Sequence, residues 1–362
     1  MLIYVHIPFC HRVCPYCSFY KHTPGGTSIT GFIDALVAET KSRLSAHTGS
    51  QARTLYLGGG TPSMLSPAHL RRLFDGLKQS IDIAALDEVT LEANPATFDQ
   101  RKATLFQELG VRRVSLGIQS FHPSTLKRLG REHSVEQAME SVETLRSAGM
   151  PSINIDLMFS IPGLDLQAWR QTLEIAIGLR PDHISAYNLT YEEDTAFFDQ
   201  LAQGQLDADP DRDACQFFLG DELLSEAGYR HYETSNYARP GHESSHNQGY
   251  WRGEEYLGLG PSAVSTIGTT RSRNIPDTDQ YVAMIKGIGH ATCDSESLTP
   301  EALRIERTAL LLRTKDGIPL DGLDPAKVDA LIDEKLALSQ DGRLVLSRDG
   351  SALVDAIVAE LI

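Results

Sequence analysis

The sequence predicts an α/β protein in which strand–helix repetition builds a parallel sheet over about the first 190 residues, followed by a small winged-helix-like α+β module. Three observations predict it. Six short runs rich in β-branched and aromatic residues alternate with five amphipathic stretches of helical length, the repetition that generates parallel sheets. Glycine-rich and polar residues fall at the C-terminal ends of those runs, the edge on which parallel α/β folds build their sites. Beyond residue 298 the order helix, turn, helix, hairpin outlines a winged helix.

Taken in order, the expected strands are Leu2–Ile7, Thr54–Gly58, Glu88–Ala93, Arg113–Ile118, Ser152–Phe159 and His183–Leu189. Between them lie expected helices at Thr30–Ala46, Pro67–Ser80, Gln100–Leu109, Val135–Ala148 and Gln167–Leu179. Ser66 and Asp99 stand where N-caps belong, and Gly110 and Gly149 where C-caps belong. Periodicity does not fix sheet curvature, so an open doubly wound sheet and a partial barrel are both allowed. Residues 191–209 are acidic and irregular, and Pro210–Gly228 reads as a helix with Cys215, Phe218, Leu219 and Leu223 on its apolar face. The stretch 229–262 is aromatic, histidine-bearing and punctuated by glycine. Three units result: 1–205, an extension over 206–297, and the C-terminal module 298–362. In the module, helices are expected at Pro300–Arg313, Pro325–Leu336 and Ala352–Leu361, with a turn at Asp316–Pro319 and a two-strand wing around Asp341-Gly342.

The composition is that of a globular chain, 41% hydrophobic and 22% charged over 362 residues. Its formal charge of −15 argues against nucleic acid as a partner, because phosphate binding needs a basic footprint. The winged-helix outline does not reverse this: residues 300–362 carry eight Lys/Arg against twelve Asp/Glu, so a packing or protein-interaction role is expected. Five cysteines in this length make no disulfide framework, and reduced thiols fit the cytosol. The N-terminus shows no basic n-region or cleavage site, and no apolar run reaches the length of a spanning helix, so a cytoplasmic protein without a transmembrane segment is expected.

The chemistry concentrates in Cys10, Cys14 and Cys17, three thiols within eight residues directly after the first strand. Three thiolates supply three ligands, so a cubane iron–sulfur cluster held there keeps one iron open, as catalytic metal sites do. The same thiols with one of His6, His11 or His22 would make a structural zinc site. Gly58-Gly59-Gly60-Thr61 matches neither a dinucleotide fingerprint nor a P-loop; its glycines allow a tight turn or free amides for an anion. Glu92 and Asp156 each end an apolar strand, where a carboxylate needs a cationic or hydroxylated partner. Arg131 could hold a carboxylate bidentately. His231, His242 and His246 lie among aromatic residues and are candidates for haem ligation or for a well-packed loop.

In this order the segments YVHIPFCHRVCPYCSF, GGGTPS, SLGIQSF, NIDLMFSIPG and HNQGYW resemble the coproporphyrinogen oxidase-like branch of the radical S-adenosylmethionine (SAM) superfamily. The resemblance covers nearly the whole chain. It implies a partial (β/α)6 barrel with a 4Fe-4S cluster on Cys10, Cys14 and Cys17, and SAM cleaved by the cluster's electron to a 5′-deoxyadenosyl radical. By similarity Tyr4, Gly59, Gly60, Thr61, Glu92, Gln119, Arg131 and Asp156 match SAM-contacting positions, and Tyr16, flanking Cys17, is similarly placed. The oxidases of the branch carry a further cysteine where this chain has Phe19, and an N-terminal extension before the first strand. The segment His246–Trp251 is similar to the haem-binding motif of the branch's haem chaperones. The resemblance therefore implies haem binding, with His246 contributing, and transfer to apo-haemoproteins such as membrane-associated respiratory enzymes; a homodimer is compatible with it. Two alternatives remain: oxygen-independent decarboxylation of coproporphyrinogen III, and a zinc-stabilised regulatory protein.

Overall fold

The computed structural model describes residues 1–46 and 51–362. Six strands come first: β1 (Leu2–Ile7), β2 (Thr54–Gly59), β3 (Glu88–Ala93), β4 (Arg113–Gln119), β5 (Ser152–Phe159) and β6 (His183–Asn188). They lie side by side in chain order, all parallel. Between them run α1 (Ile29–Ser45), α2 (Pro67–Leu77), α3 (Gln100–Leu109), the short α4 (Pro123–Arg128), α5 (Val135–Ser147) and α6 (Leu166–Gly178). Three of the four expected caps are present: the Ser66 and Asp99 side chains accept from the amides of His69 and Lys102, and Gly110 caps α3 at φ 103°. The fourth falls one residue earlier than expected, on Ala148, with Gly149 following it at φ 78°.

The period of two along each strand separates two chemically different faces. Ile3, Val5, Leu55, Leu57, Val89, Leu91, Val114, Leu116, Ile153, Ile155 and Ile184 form one, buried within a single apolar core. Each such side chain contributes about 1.5–3 kcal/mol by leaving water. The other face is polar. In register across it stand Tyr4 with Tyr56, Tyr56 with Thr90, Glu92 with Ser115, Ser115 with Asn154, and Asp156 with Ser185. Tyr56 on the second strand and Tyr187 on the sixth line one cavity, so the sheet curves into a partial barrel around a polar lumen.

Residues 196–297 form α7 (Ala196–Ala202), α8 (Pro210–Glu226), β7 (Arg230–Glu233), β8 (Asn236–Ala238), α9 (Ser245–Trp251), β9 (Tyr256–Leu259), β10 (Val264–Ile267), β11 (Thr270–Asn274), α10 (Thr278–Ile288) and β12 (Thr292–Ser297). Their strands extend the barrel sheet at both edges, β9 to β12 beyond β1 and β8 then β7 beyond β6. Only β9 joins in parallel; the others pair antiparallel. Buried Glu39 of α1 ties the first edge down, accepting from Tyr281 Oη at 2.6 Å, Asn274 Nδ2 at 2.7 Å and the Gly260 amide at 2.8 Å.

The C-terminal part holds α11 (Pro300–Leu311), β13 (Ile318–Pro319), α12 (Pro325–Asp333), β14 (Ala337–Gln340), β15 (Arg343–Leu346), α13 (Arg348–Ala352) and α14 (Val354–Leu361). It has its own core, built from Leu312, Ile318, Val328, Leu331, Leu344 and Ile357 among others. The β14–β15 wing turns through Asp341 and Gly342, both at positive φ, the two-residue turn whose twist matches a hairpin. Arg348 fastens the module to α8 through Asp221 Oδ2 at 2.9 Å and the Phe218 carbonyl at 2.6 Å.

Candidate functional site

A cavity of about 640 Å³ opens at the C-terminal edge of the parallel strands. Its rim is the loop after β1, and Cys10, Cys14 and Cys17 all line it as free, half-buried thiols. Burial pushes the Cys10 and Cys17 thiols above their ordinary values. Thr61 Oγ1 donates to Cys10 Sγ at 3.5 Å and so opposes the rise at Cys10. Arg131 Nη1 donates to Cys14 Sγ at 3.8 Å.

The chemistry of the donor set, three free thiols on one loop at one cavity, suits a three-thiolate centre, although among the described residues no group of three or more His, Cys, Asp or Glu is gathered closely enough to hold a metal ion. Two of the three histidines that could complete a zinc site are engaged elsewhere. His6 contacts Tyr20 O at 2.8 Å and Tyr4 Oη at 3.1 Å, and His22 contacts Thr278 Oγ1 and Thr23 O, each at 2.8 Å.

The glycine turn after β2 forms the next wall. Gly59 has φ 101°, and a Cβ there would run into the His6 ring; a Cβ on Gly60 would lie 2.7 Å from the carbonyls of Ile7 and Phe9. The freed Gly59 amide donates to Glu92 Oε2 at 3.0 Å while Tyr56 Oη donates to Glu92 Oε1 at 2.9 Å. Burial, with the Asp156 charge adding, raises the Glu92 carboxyl to about 7. Asp156 accepts from Ser115 Oγ at 2.9 Å and from Asn154 Nδ2 at 2.7 Å.

Arg131 reaches in from the loop after α4. It donates to Gly117 O at 2.5 Å and to Asn94 Oδ1, and Asn94 in turn donates to Thr61 Oγ1 at 2.9 Å. The chain Arg131–Asn94–Thr61 thus spans the cavity between two of the cysteines. Gln119 sits at a register shift of β4 against β5 with φ 71°, and its buried Oε1 has no partner. A left-handed glutamine with an orphan carbonyl in a cavity wall is strain of the kind held at binding sites.

The cavity therefore brings together Cys10, Cys14, Cys17, Tyr16, Gly59, Gly60, Thr61, Glu92, Gln119, Arg131 and Asp156. Tyr4 lies below it, its ring 6.1 Å from that of Tyr56. His246 is elsewhere. It is the second residue of α9, beneath the lumen, 1% exposed, with Nδ1 2.7 Å from Thr54 Oγ1 and its ring stacked on Tyr56 at 5.0 Å. Burial pushes its imidazole down to about 3, and Nε2 has no partner. His231 and His242 are also engaged, the first with Asp221 at 3.1 Å and the second with Ser152 Oγ at 3.2 Å.

Residue-by-residue reading did not assign Tyr56, Asn94, Ser115, Asn154 or Tyr187. The available signal was the alternation itself: polar residues recur at every second position of strands whose other face is aliphatic, which marks a wet lumen.

Three thiols on the loop after the first strand of a parallel partial barrel, above a glycine turn and strand-end carboxylates, define the class of radical SAM proteins. The model of the "Radical SAM superfamily" matches residues 4–176. A "Heme chaperone HemW" of Mycobacterium tuberculosis is 36% identical over 99% of this chain and 94% of its own length. One of Bacillus subtilis is 32% identical over 92% and 91%, and one of Lactococcus lactis 34% over 87% and 82%. In fold, the coproporphyrinogen III oxidase of Escherichia coli superposes with a TM-score of 0.85 over 99% of this chain and 89% of its own, at 23% identity. The chain belongs to the haem chaperone HemW family of the radical SAM superfamily. Membership of the superfamily implies a 4Fe-4S cluster and SAM. Among the described residues no helix is long and apolar enough to cross a membrane.

Proposed function

We propose that this protein is a haem-binding chaperone that holds a 4Fe-4S cluster on Cys10, Cys14 and Cys17, binds SAM in the cavity, and passes haem to apo-haemoproteins, respiratory enzymes among them. When bound, the cluster supplies an electron for reductive cleavage of the SAM sulfonium. The chain's own residues bind and orient. Glu92 takes a cationic or hydroxylated group, the Gly59–Thr61 turn gives close backbone approach, Asp156 and Gln119 offer acceptors, and Arg131 offers a donor for a carboxylate.

The observation that carries the haem reading is His246. An imidazole nitrogen left without a partner in a protein interior is uncommon, and Nε2 of His246 is one, inside the segment HNQGYW. A neutral imidazole, kept so by burial, is the form that binds iron. The ring is enclosed, so ligation requires α9 to move from its seat under the barrel. Phe19 supports the same reading against the oxidase: it is 66% exposed at the cavity rim and offers no thiol.

Anaerobic reconstitution followed by haem titration tests this. Wild-type protein is expected to carry iron and sulfide and to show saturable haem binding that His246→Ala weakens at least tenfold, about 1.4 kcal/mol. Unchanged affinity in the variant removes His246 as ligand. Absence of haem binding overturns the chaperone reading.

A further inference from the structure

Two chains of contacts run from α9 to the two cavity carboxylates, one a ring stack followed by a hydrogen bond, the other hydrogen-bonded throughout. The first starts at His246, whose ring lies on that of Tyr56 at 5.0 Å and 28°. Tyr56 Oη donates to Glu92 Oε1 at 2.9 Å, and the other oxygen of Glu92 takes the Gly59 amide.

The second starts at Ser244, the N-cap of α9. Its amide donates to Tyr232 Oη at 3.2 Å, which lies 2.8 Å from His183 Nε2; His183 Nδ1 lies 2.6 Å from Asn154 Oδ1, and Asn154 Nδ2 lies 2.7 Å from Asp156 Oδ1. The carboxylate only accepts, which fixes the direction of every bond. Asn154 presents its NH₂ to Asp156 and its carbonyl to His183 Nδ1–H, so Nε2 accepts from Tyr232. His183 is fully buried and burial keeps it neutral, consistent with that tautomer.

A third contact anchors the helix between them. Glu88, on the same face of β3 as Glu92, accepts from Ser244 Oγ at 3.1 Å and from the Ser245 amide at 2.7 Å.

We infer that α9 is a positioning element for Glu92 and Asp156, acting through His246–Tyr56 and through Tyr232–His183–Asn154, so that the seating of α9 sets the affinity of the cavity for SAM. The inference rests on the reading that the cavity binds SAM. Its second consequence rests on the haem reading as well. Iron reaches the enclosed Nε2 of His246 only when α9 lifts, and lifting breaks the stack on Tyr56 and withdraws Ser244 from Tyr232. Haem and SAM therefore oppose one another through the same helix, and by linkage each weakens the other by the same factor.

The test uses the full chain, anaerobically reconstituted, with SAM binding followed by titration calorimetry and no haem present. His246→Ala removes the ring under Tyr56 and is expected to weaken SAM binding about fivefold or more, the usual size of such coupling. His246→Phe restores a flat ring but no nitrogen, and is expected to return SAM affinity to within about twofold of wild type. Tyr56→Phe keeps the ring and the packing but loses the O–H to Glu92, and is expected to weaken SAM binding whatever stands at 246. If His246→Ala does not fold, Tyr232→Phe, which breaks the bond from the Ser244 amide and the link to His183, takes its place and is expected to weaken SAM binding. SAM affinity unchanged in Tyr56→Phe, in Tyr232→Phe or in a folded His246→Ala overturns the inference; a wild type that binds no SAM removes the reading of the cavity and the inference with it.

Adding haem separates the two readings. Wild-type SAM affinity is expected to fall about fivefold with haem and not to fall in His246→Phe. Haem that binds without changing SAM affinity overturns the opposition and leaves the chaperone reading standing. Haem that does not bind removes the chaperone reading, and the haem-free titrations still decide whether α9 positions the carboxylates.

Discussion

The guanidinium of Arg131 donates to the sulfur of Cys14 at 3.8 Å while its other nitrogen holds Gly117 O and Asn94 Oδ1. One side chain thus orients a thiol of the cysteine loop and closes the wall between β3 and β4. Arg131→Met keeps much of the stem and removes the fork. A hydrogen bond to a charged group is worth about 1.5–3 kcal/mol, so cluster retention is expected to fall by about tenfold or more, read as iron and sulfide per chain after anaerobic gel filtration. Arg131→Lys restores charge without the planar fork and is expected to recover only part of the loss.

How much of this was legible follows from residue spacing. The limits of β1 to β6 agree with expectation to within a residue, because each is an aliphatic run bounded by turn signals. Helix α4 was not read: Pro123 marks a start, but six residues give no period. Strands β7 to β12 were missed for the same reason, since they are three to six residues long and owe their state to pairing with β1, β6 or one another. The cysteines and the glycine turn were legible because they are local. The seat of His246 was not. It depends on Thr54 and Tyr56, about 190 residues earlier in the chain, and on a helix of seven residues.

Glu92 gives the cavity a pH dependence. Its folded-state value, about 7, lies above the ordinary 4.5, so between those limits the folded chain binds more protons than the unfolded one. Stability from this group is present below about pH 4.5 and lost as pH rises through about 7. The melting temperature of the metal-free chain is expected to decline across this window more steeply than that of Glu92→Gln. SAM affinity runs the opposite way: a cationic group is received by the carboxylate, so binding is expected to strengthen through pH 7, and Glu92→Gln to flatten the profile.

Gly60 tests the turn itself. Its φ is not left-handed, yet a Cβ would stand 2.7 Å from two backbone oxygens, those of Ile7 and Phe9. Backbone cannot yield as a side chain tip can. Gly60→Ala is therefore expected to cost at least about 2 kcal/mol, measured by denaturant unfolding, and to displace the cysteine loop that these carbonyls lead into. An unperturbed midpoint with full iron content would show that the loop adapts.

Glu39 shows how the barrel edge depends on one buried acid. Burial raises its carboxyl, while Tyr281, Gly260 and Asn274 hold the ionised form with three hydrogen bonds. Those donors come from three separate segments, α10, the loop after β9, and β11, so the carboxylate joins all three to α1, beside the packing of Phe32 on Tyr281 and the Arg43–Ser265 hydrogen bond. Glu39→Ala strands all three donors in the interior, each at about 1–3 kcal/mol, and is expected to lower the unfolding free energy by about 3 kcal/mol or more. Glu39→Gln keeps one acceptor oxygen, which serves both Tyr281 and Gly260 because they bond the same Oε2, and turns its NH₂ toward Asn274 Nδ2 alone. With one facing pair of donors left unsatisfied, it is expected to recover part but not all of the loss in urea titration. Full recovery would mean that shape rather than charge-assisted bonding holds the edge.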